Sequence, residues 1–295
     1  MGKNIMTLSV AHLGPPGTYA EQATIFYVKW LSHSSGLEAS LRPYSSIAQS
    51  LQALAQGETQ LAVVPVENSI EGSVTMTMDT MWQLDSLQIQ SALILPIAHA
   101  LISCADSLDG IKTVYSHPQA LAQCQGWLRA FLPNVQLIPS NSTTEALEKL
   151  EYDLSIGAIA SSRAAELYNL PILASRINDY AENCTRFWVI SQAESDITHQ
   201  LPLQKLTHTS IAFSVPANVP GALLKTLQVF AHLDINLSRI ESRPTKRSLG
   251  EYLFFIDLEA DVNTPQMKSA LLELTTYTEV LKIFGSYSVL SANDQ

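Results

Sequence analysis

At 295 residues the chain is long enough for two domains, and 46% hydrophobic against 15% charged residues gives it the material for a sizeable core. With 17 Lys and Arg against 27 Asp and Glu, the net charge of -10 lacks the basic footprint that nucleic acid or an anionic membrane needs, yet leaves room for a small anion held by a few placed donors. Cys104, Cys124 and Cys184 have no C-x-x-C spacing, no signal peptide precedes Leu8, and the longest apolar segment, Ser91 to Ser103, is broken by Pro96 and His99, so a reduced, cytoplasmic protein is expected, without disulfides, zinc or a membrane span.

Apolar runs and helical patterns then alternate along the chain. A strand over Leu8 to Leu13 is followed by helices over Tyr19 to Leu31 and Ile47 to Gln56, a strand over Leu61 to Val66, a helix over Ser73 to Leu84 and a strand over Ile89 to Ile97. Next come a strand over Thr113 to Tyr115, a helix over Pro118 to Phe131, a strand over Val135 to Ile138, a helix over Thr143 to Leu150, a strand over Ile156 to Ile159, a helix over Arg163 to Tyr168 and a strand over Phe187 to Ser191. This alternation implies an α/β domain with mostly parallel sheets. The run from Ile89 to Ile102 is long enough to cross between two lobes and leave a cleft between them. The polar stretch from Ala193 to Thr207, with Pro202, reads as a linker, which divides the chain into domains at 1–195 and 208–295 joined by 196–207. Beyond it the pattern is Ser210 to Val215, Pro220 to Leu233, Ile235 to Glu241, Tyr252 to Leu258, Pro265 to Thr276 and Val280 to Phe284, the βαββαβ order of the ferredoxin-like plan, with Pro220 and Pro265 at helix starts.

Four polar clusters fall at strand ends, where open α/β sheets bind ligands. After Leu61-Ala62-Val63-Val64-Pro65-Val66 come Glu67-Asn68-Ser69-Ile70-Glu71-Gly72-Ser73, in which Asn68, Ser69 and Ser73 offer uncharged donors and a helix restarting near Gly72 offers free N–H groups; the same residues also suit simple helix capping. Gly14-Pro15-Pro16-Gly17-Thr18-Tyr19 matches neither G-x-G-x-x-G nor the Walker pattern, so a nucleotide is not expected. In Tyr115-Ser116-His117-Pro118-Gln119 the histidine suits a helix start better than acid/base work, and in Asn183-Cys184-Thr185-Arg186-Phe187 the arginine is suited to a carboxylate. No metal-ligand or nucleophilic-triad spacing accompanies them.

Together these clusters resemble prephenate dehydratases along nearly the whole chain: Gly14-Pro15-Pro16-Gly17-Thr18-Tyr19, Pro65-Val66-Glu67-Asn68-Ser69-Ile70-Glu71-Gly72, Ser116-His117-Pro118-Gln119, Ala158-Ile159-Ala160-Ser161 and Thr185-Arg186-Phe187 occur in the family's order. Pro220-Gly221-Ala222-Leu223 and Glu241-Ser242-Arg243-Pro244 resemble the family's ACT regulatory domain, and the absence of a chorismate mutase-like segment before Leu8 is similar to the monofunctional form.

The resemblance implies a two-lobed, periplasmic-binding-protein-like catalytic domain and conversion of prephenate to phenylpyruvate, carbon dioxide and water without a cofactor. It implies that Thr185 donates a hydrogen bond to the leaving hydroxyl and that Arg186 clamps a carboxylate. Thr18, Asn68, Ser69, Ser116, Gln119 and Ser161 would surround the substrate as neutral groups, and Phe187 would pack on its ring or in the core. Ionised Glu67 and Glu71 would repel a dianion, so both are read as structural, and Cys184 as packing. The ACT resemblance implies feedback inhibition by phenylalanine bound between paired domains, beside Val219, Gly221, Ala222 and Leu223 on one side and Glu241 and Ser242 on the other, in a homodimer or homotetramer. The alternatives are an arogenate dehydratase, which shares these motifs, and a non-catalytic amino-acid-binding regulator.

Overall fold

Leu61 begins β3 (Leu61–Asn68), whose first four residues are fully buried, and the rest of the first lobe is arranged around it. The computed structural model describes residues 7–140, 147, 150 and 153–292. β1 (Leu8–Leu13) lies parallel to β3 on one side and to β2 (Ala39–Tyr44) on the other, while β11 (Cys184–Gln192) runs antiparallel to β3 and to β5 (Leu87–Pro96). The two-residue β4 (Gly72–Ser73) pairs with the end of β3. α1 (Tyr19–Ser35) is capped by the Thr18 hydroxyl, which accepts from the Glu21 N–H, and α2 (Ile47–Ala55) by Ser46 in the same way. α3 (Thr75–Gln83) follows β4 directly.

The chain leaves this lobe after Pro96 and returns at Cys184. Between them a second sheet has the order β10 (Ile172–Ala174), β6 (His99–Ile102), β9 (Ile156–Ser161), β7 (Thr113–Ser116), β8 (Gln136–Pro139). Its helices are α4 (Pro118–Ala122), α5 (Gln125–Phe131) and α6 (Ser162–Tyr168). The two crossing segments are tied together where they pass: Ile97 N–H donates to the Asn183 carbonyl, and Asn178 accepts from His99 N–H while donating to the Ile97 carbonyl.

Both sheets are mixed in direction, because β11 enters the first sheet antiparallel on its return and β6 is antiparallel to both neighbours. The single helix expected over Pro118 to Phe131 is two helices meeting at Cys124. Of the helix expected over 143–150, all but Leu147 and Leu150, which are buried, lies outside the described residues. No helix among the described residues is long and apolar enough to cross a membrane.

The C-terminal domain has the expected βαββαβ order: β12 (His208–Ser214), α7 (Ala222–His232), β13 (Leu237–Pro244), β14 (Tyr252–Leu258), α8 (Pro265–Leu274) and β15 (Val280–Ser291). Period-two alternation gives its sheet two apolar faces. Ile211, Phe213, Ile256 and Leu258 pack on Val229, Phe230, Met267 and Leu274 of the helices. Ala212, Leu253, Phe255 and Phe284 share a core with Met78, Met81 and Trp188 of the first lobe.

The expected linker is partly structured, with a 3-10 turn over Asp196–His199 and a buried Ile197. β15 runs past the expected Phe284 and pairs in parallel with β5 from Ser288 to Ser291. Its close approach to β5 requires glycine at 285: φ is 134°, and an added Cβ would stand 2.7 Å from the Ile89 carbonyl oxygen.

Candidate active site

The carboxyl ends of β1 and β3 meet the second lobe around a chain of amide and hydroxyl groups whose polarity is fixed at one end. Asn68 Oδ1 accepts from the backbone N–H groups of Ile70 and Glu71, both at 3.0 Å, and a backbone N–H has only one role. Asn68 Nδ2 is therefore the donor to Asn183 Oδ1 at 2.9 Å, to Thr185 Oγ1 at 2.9 Å and to the Cys184 carbonyl at 3.1 Å. Asn183 Nδ2 then donates to Gln123 Oε1 at 2.9 Å, and Gln123 Nε2 donates to Glu71 Oε1 at 3.2 Å.

Gln123 Oε1 also takes a bond from His99 Nε2 at 3.0 Å, which makes that nitrogen the protonated one and leaves Nδ1 as an acceptor facing the Tyr19 hydroxyl at 3.0 Å. Burial lowers the His99 pKa, against the raising effect of the Gln123 bond, so the imidazole is neutral. Thr185 lies at the open end of this chain. Its oxygen is already an acceptor, so its own hydrogen points away from Asn68.

The site is built across both lobes. Ser161 caps α6 by accepting from Ala164 N–H and donates to the Gly17 carbonyl at 2.9 Å, tying the second lobe to the turn before α1. Tyr19 and Asn183, which lie in the sequence clusters but were given no role, and His99 and Gln123, which lie in none, join this network. Two of them carried a usable signal: Asn183 stands two residues before Thr185, just ahead of β11, and Gln123 stands one helical turn after Gln119.

Several expected roles change. Arg186, expected to clamp a substrate carboxylate, is turned by strand alternation to the sheet face opposite Thr185, where Nη2 bonds Glu67 Oε2 at 2.9 Å and Asp257 Oδ2 at 2.6 Å. Burial opposes its charge, but Asp257, Tyr287 and Glu67 outweigh that penalty and raise its pKa. The hydroxyl hydrogen of Ser116 goes to the Ile159 carbonyl and that of Ser161 to Gly17, so neither is free to donate to a substrate. Thr18 is occupied as the α1 cap, donating to the Leu13 carbonyl.

Phe187, 1% exposed, is core, packed among Leu93, Leu95 and Val189. Ser69 accepts from Cys184 N–H, and Gln119 stands exposed at the start of α4, where the His117 ring accepts from its N–H. Glu67 pairs with Arg186, and Glu71 accepts from Gln123.

In the ferredoxin-like domain Gly221 has φ 82° and precedes Ala222, the first residue of α7; Leu223 packs on the domain core and Val219 is exposed. Ser242 lies on the edge strand β13. Glu241, expected beside an effector, instead accepts from Ser73 at 2.9 Å, and Arg243 pairs with Asp79 of α3. Lys282 of β15 grips the other end of α3, donating to the carbonyls of Met81, Trp82 and Leu84 at 2.8–3.2 Å. A cavity of about 240 Å³ opens between the loops at 215–218 and 245–251, with Arg247 and Glu279 on its wall.

A two-lobed α/β unit with a hydroxyl-and-amide site at the lobe junction, joined to a ferredoxin-like module that grips the helix after the site loop, defines a regulated α/β enzyme. The chain belongs to the prephenate dehydratase family: the family model matches residues 10–195, and the ACT domain model matches residues 209–275. It is 38% identical over 284 residues to the prephenate dehydratase of Methanocaldococcus jannaschii, covering 96% of this chain and 99% of that one. The bifunctional chorismate mutase/prephenate dehydratase of Aquifex aeolicus is 40% identical over 280 residues, 95% of this chain and 73% of that protein. The prephenate dehydratase of Arthrobacter aurescens, solved in complex with L-Phe, superposes with a TM-score of 0.83 at 31% identity, covering 98% of this chain and 92% of that one.

Proposed function

We propose that the chain converts prephenate to phenylpyruvate, carbon dioxide and water. The bond from the ring to its carboxylate breaks, its electron pair completes the aromatic ring, and the ring hydroxyl leaves with one proton as water. The observation that carries the reading is the Asn68 to Thr185 bond at 2.9 Å, which commits the Thr185 oxygen as an acceptor and presents its hydrogen to the departing hydroxyl. Threonine is too weak an acid to be the ultimate proton source, so its part is to stabilise the charge that grows on the departing oxygen, while the proton comes from solvent. Ser69 and Gln119 are the neutral groups we assign to the substrate at the rim of the site.

Phenylalanine is the effector we assign to the ACT domain, supported by the domain match and by the L-Phe complex of the Arthrobacter aurescens relative. Two copies of the chain pair through their ACT domains, as a homodimer or as half of a homotetramer. In support, β13 is an edge strand with only β14 beside it among the described residues, and it exposes Ile240. The setting is cytoplasmic.

The test is phenylpyruvate formation from prephenate, run beside arogenate and repeated with L-phenylalanine. Turnover of prephenate that phenylalanine suppresses is expected. Preference for arogenate would reassign the substrate, and turnover of neither would leave an amino-acid-binding regulator.

A further inference from the structure

Directly behind the Asn68 and Thr185 pair stands a second cross-strand pair. In the β3 to β11 ladder Thr185 is opposite Asn68 and Arg186 is opposite Glu67, so the two pairs occupy the two faces of the sheet at adjacent positions. The backbone ladder is interrupted beside them: the register shifts between Arg186 and Phe187, and Phe187 faces Pro65, which has no N–H to give. On the back face a side-chain bond crosses the two strands there, from Arg186 Nη2 to Glu67 at 2.9 Å, and the same nitrogen donates to Asp257 at 2.6 Å.

Asp257 belongs to the ACT domain. It lies on β14, 1% exposed, and its other oxygen accepts from Ser210 Oγ at 2.6 Å, which in turn is 2.7 Å from the Tyr287 hydroxyl. Arg239, also buried, completes the cluster as a second ion-pair partner without hydrogen-bonding these carboxylates, its Nη1 and Nε standing 3.6 Å from Asp257 and 3.7 Å from Glu67. The buried Arg186 charge thus takes one of its two carboxylate partners from the catalytic domain and the closer one from the ACT domain.

We propose that Asp257 is a positioning residue for the dehydratase reaction: by fixing the Arg186 guanidinium it holds the interrupted ladder in the register that aims the Thr185 hydroxyl at the leaving group. This rests on the role given to Thr185 above. Without Asp257 the guanidinium has an uncompensated share of buried charge and shifts toward Glu67 or solvent, and a displacement of the adjacent Thr185 by a fraction of an ångström is enough to spoil a donor.

Steady-state kinetics on the full chain, without added amino acid, test it. Asp257→Asn keeps the shape of the side chain and removes its charge. Its kcat for prephenate should fall on the order of tenfold to a hundredfold with KM changed less than about threefold, since the site is misaimed and not vacated. In a Thr185→Val background the same substitution should cost nothing further, because the group being aimed is gone. A purely structural role would instead give the same fractional loss in both backgrounds, and that result, or an undiminished kcat in folded Asp257→Asn protein, overturns the proposal. If Asp257→Asn does not fold, Ser210→Ala retains the carboxylate and removes its brace; a severalfold kcat loss restricted to the Thr185 background supports the proposal and an unchanged kcat rejects it. Full activity in Thr185→Val itself would defeat the reading of Thr185, whereas an inactive Thr185→Val beside a normal Asp257→Asn would defeat the positioning role alone.

Discussion

The Asn68 carboxamide nitrogen lies 2.9 Å from the Thr185 hydroxyl, and the backbone N–H groups of Ile70 and Glu71 prevent that carboxamide from turning over. Thr185→Val, nearly isosteric, should lower kcat by about 10²–10³, the usual loss for a well-aimed donor to a transition-state oxygen. Thr185→Ser keeps the hydroxyl and should retain most of the rate. Thermal unfolding of both variants separates this from misfolding, and a valine variant with wild-type turnover would remove Thr185 from the mechanism.

Asn68→Asp tests the polarity of the chain of bonds. The new carboxylate still accepts from Ile70 and Glu71, so the turn survives, but three acceptors now face an acceptor. The Thr185 hydrogen is drawn back to the carboxylate and away from substrate. We expect a kcat loss at least as large as that of Thr185→Val, with about 1–3 kcal/mol of stability lost to the unmatched Asn183 and Cys184 oxygens. Single-turnover rates beside urea titrations measure the two effects separately.

Lys282 serves as a cap for a helix in another domain. Its ammonium takes up three carbonyls at the end of α3 from a side chain that is 14% exposed, and its partner Asp85 is 93% exposed. Lys282→Met should cost about 1.5–3 kcal/mol through the lost charged hydrogen bonds, whereas Asp85→Asn should cost less than about 1 kcal/mol, as a solvent-screened pair does. Equal effects of the two on the urea midpoint would show that the ion pair, not the helix cap, is what matters.

Stability should fall as the solution is acidified through the histidine range. Burial lowers the pKa of His99, and also of His12 and His208, below the ordinary imidazole value of 6.5. The unfolded chain then binds more protons than the folded one once pH drops below about 6.5, so the contribution is complete above that pH and is lost below it. Unfolding temperatures from pH 7.5 to 5.0 should decline, and His99→Gln should flatten the slope. An unchanged slope would mean that His99 is not protonated on unfolding in this range.

The order of elements was legible because most strands are buried on both faces and read as apolar runs. β2 was not, since Ala39-Ser40-Leu41-Arg42-Pro43-Tyr44 forms an edge with exposed alternate residues and carries neither an apolar run nor clean alternation. The run from Ile89 to Ile102 conceals two strands of different sheets, because hydrophobicity reports burial and not which sheet does the burying.

At the site, Thr185 and Asn68 were legible as residue types at strand ends. Arg186 was assigned to the substrate on its chemistry and on the family resemblance, although period-two geometry already placed it on the face opposite Thr185. Gln123 and His99 join the site only through contacts across lobes, which no local pattern encodes.

β15 pairs with β12 of one module as far as Tyr287 and with β5 of the other from Ser288, just beyond Gly285. The two modules are therefore joined at a second place besides the stretch at 196–207. A nick in that stretch leaves both fragments laced through the β5 to β15 ladder and the Lys282 grip, so they should travel as one particle. By the same reasoning, a chimera that imports a foreign ACT domain imports a strand of its host's catalytic sheet, and recombination between such genes succeeds only where that last strand also fits.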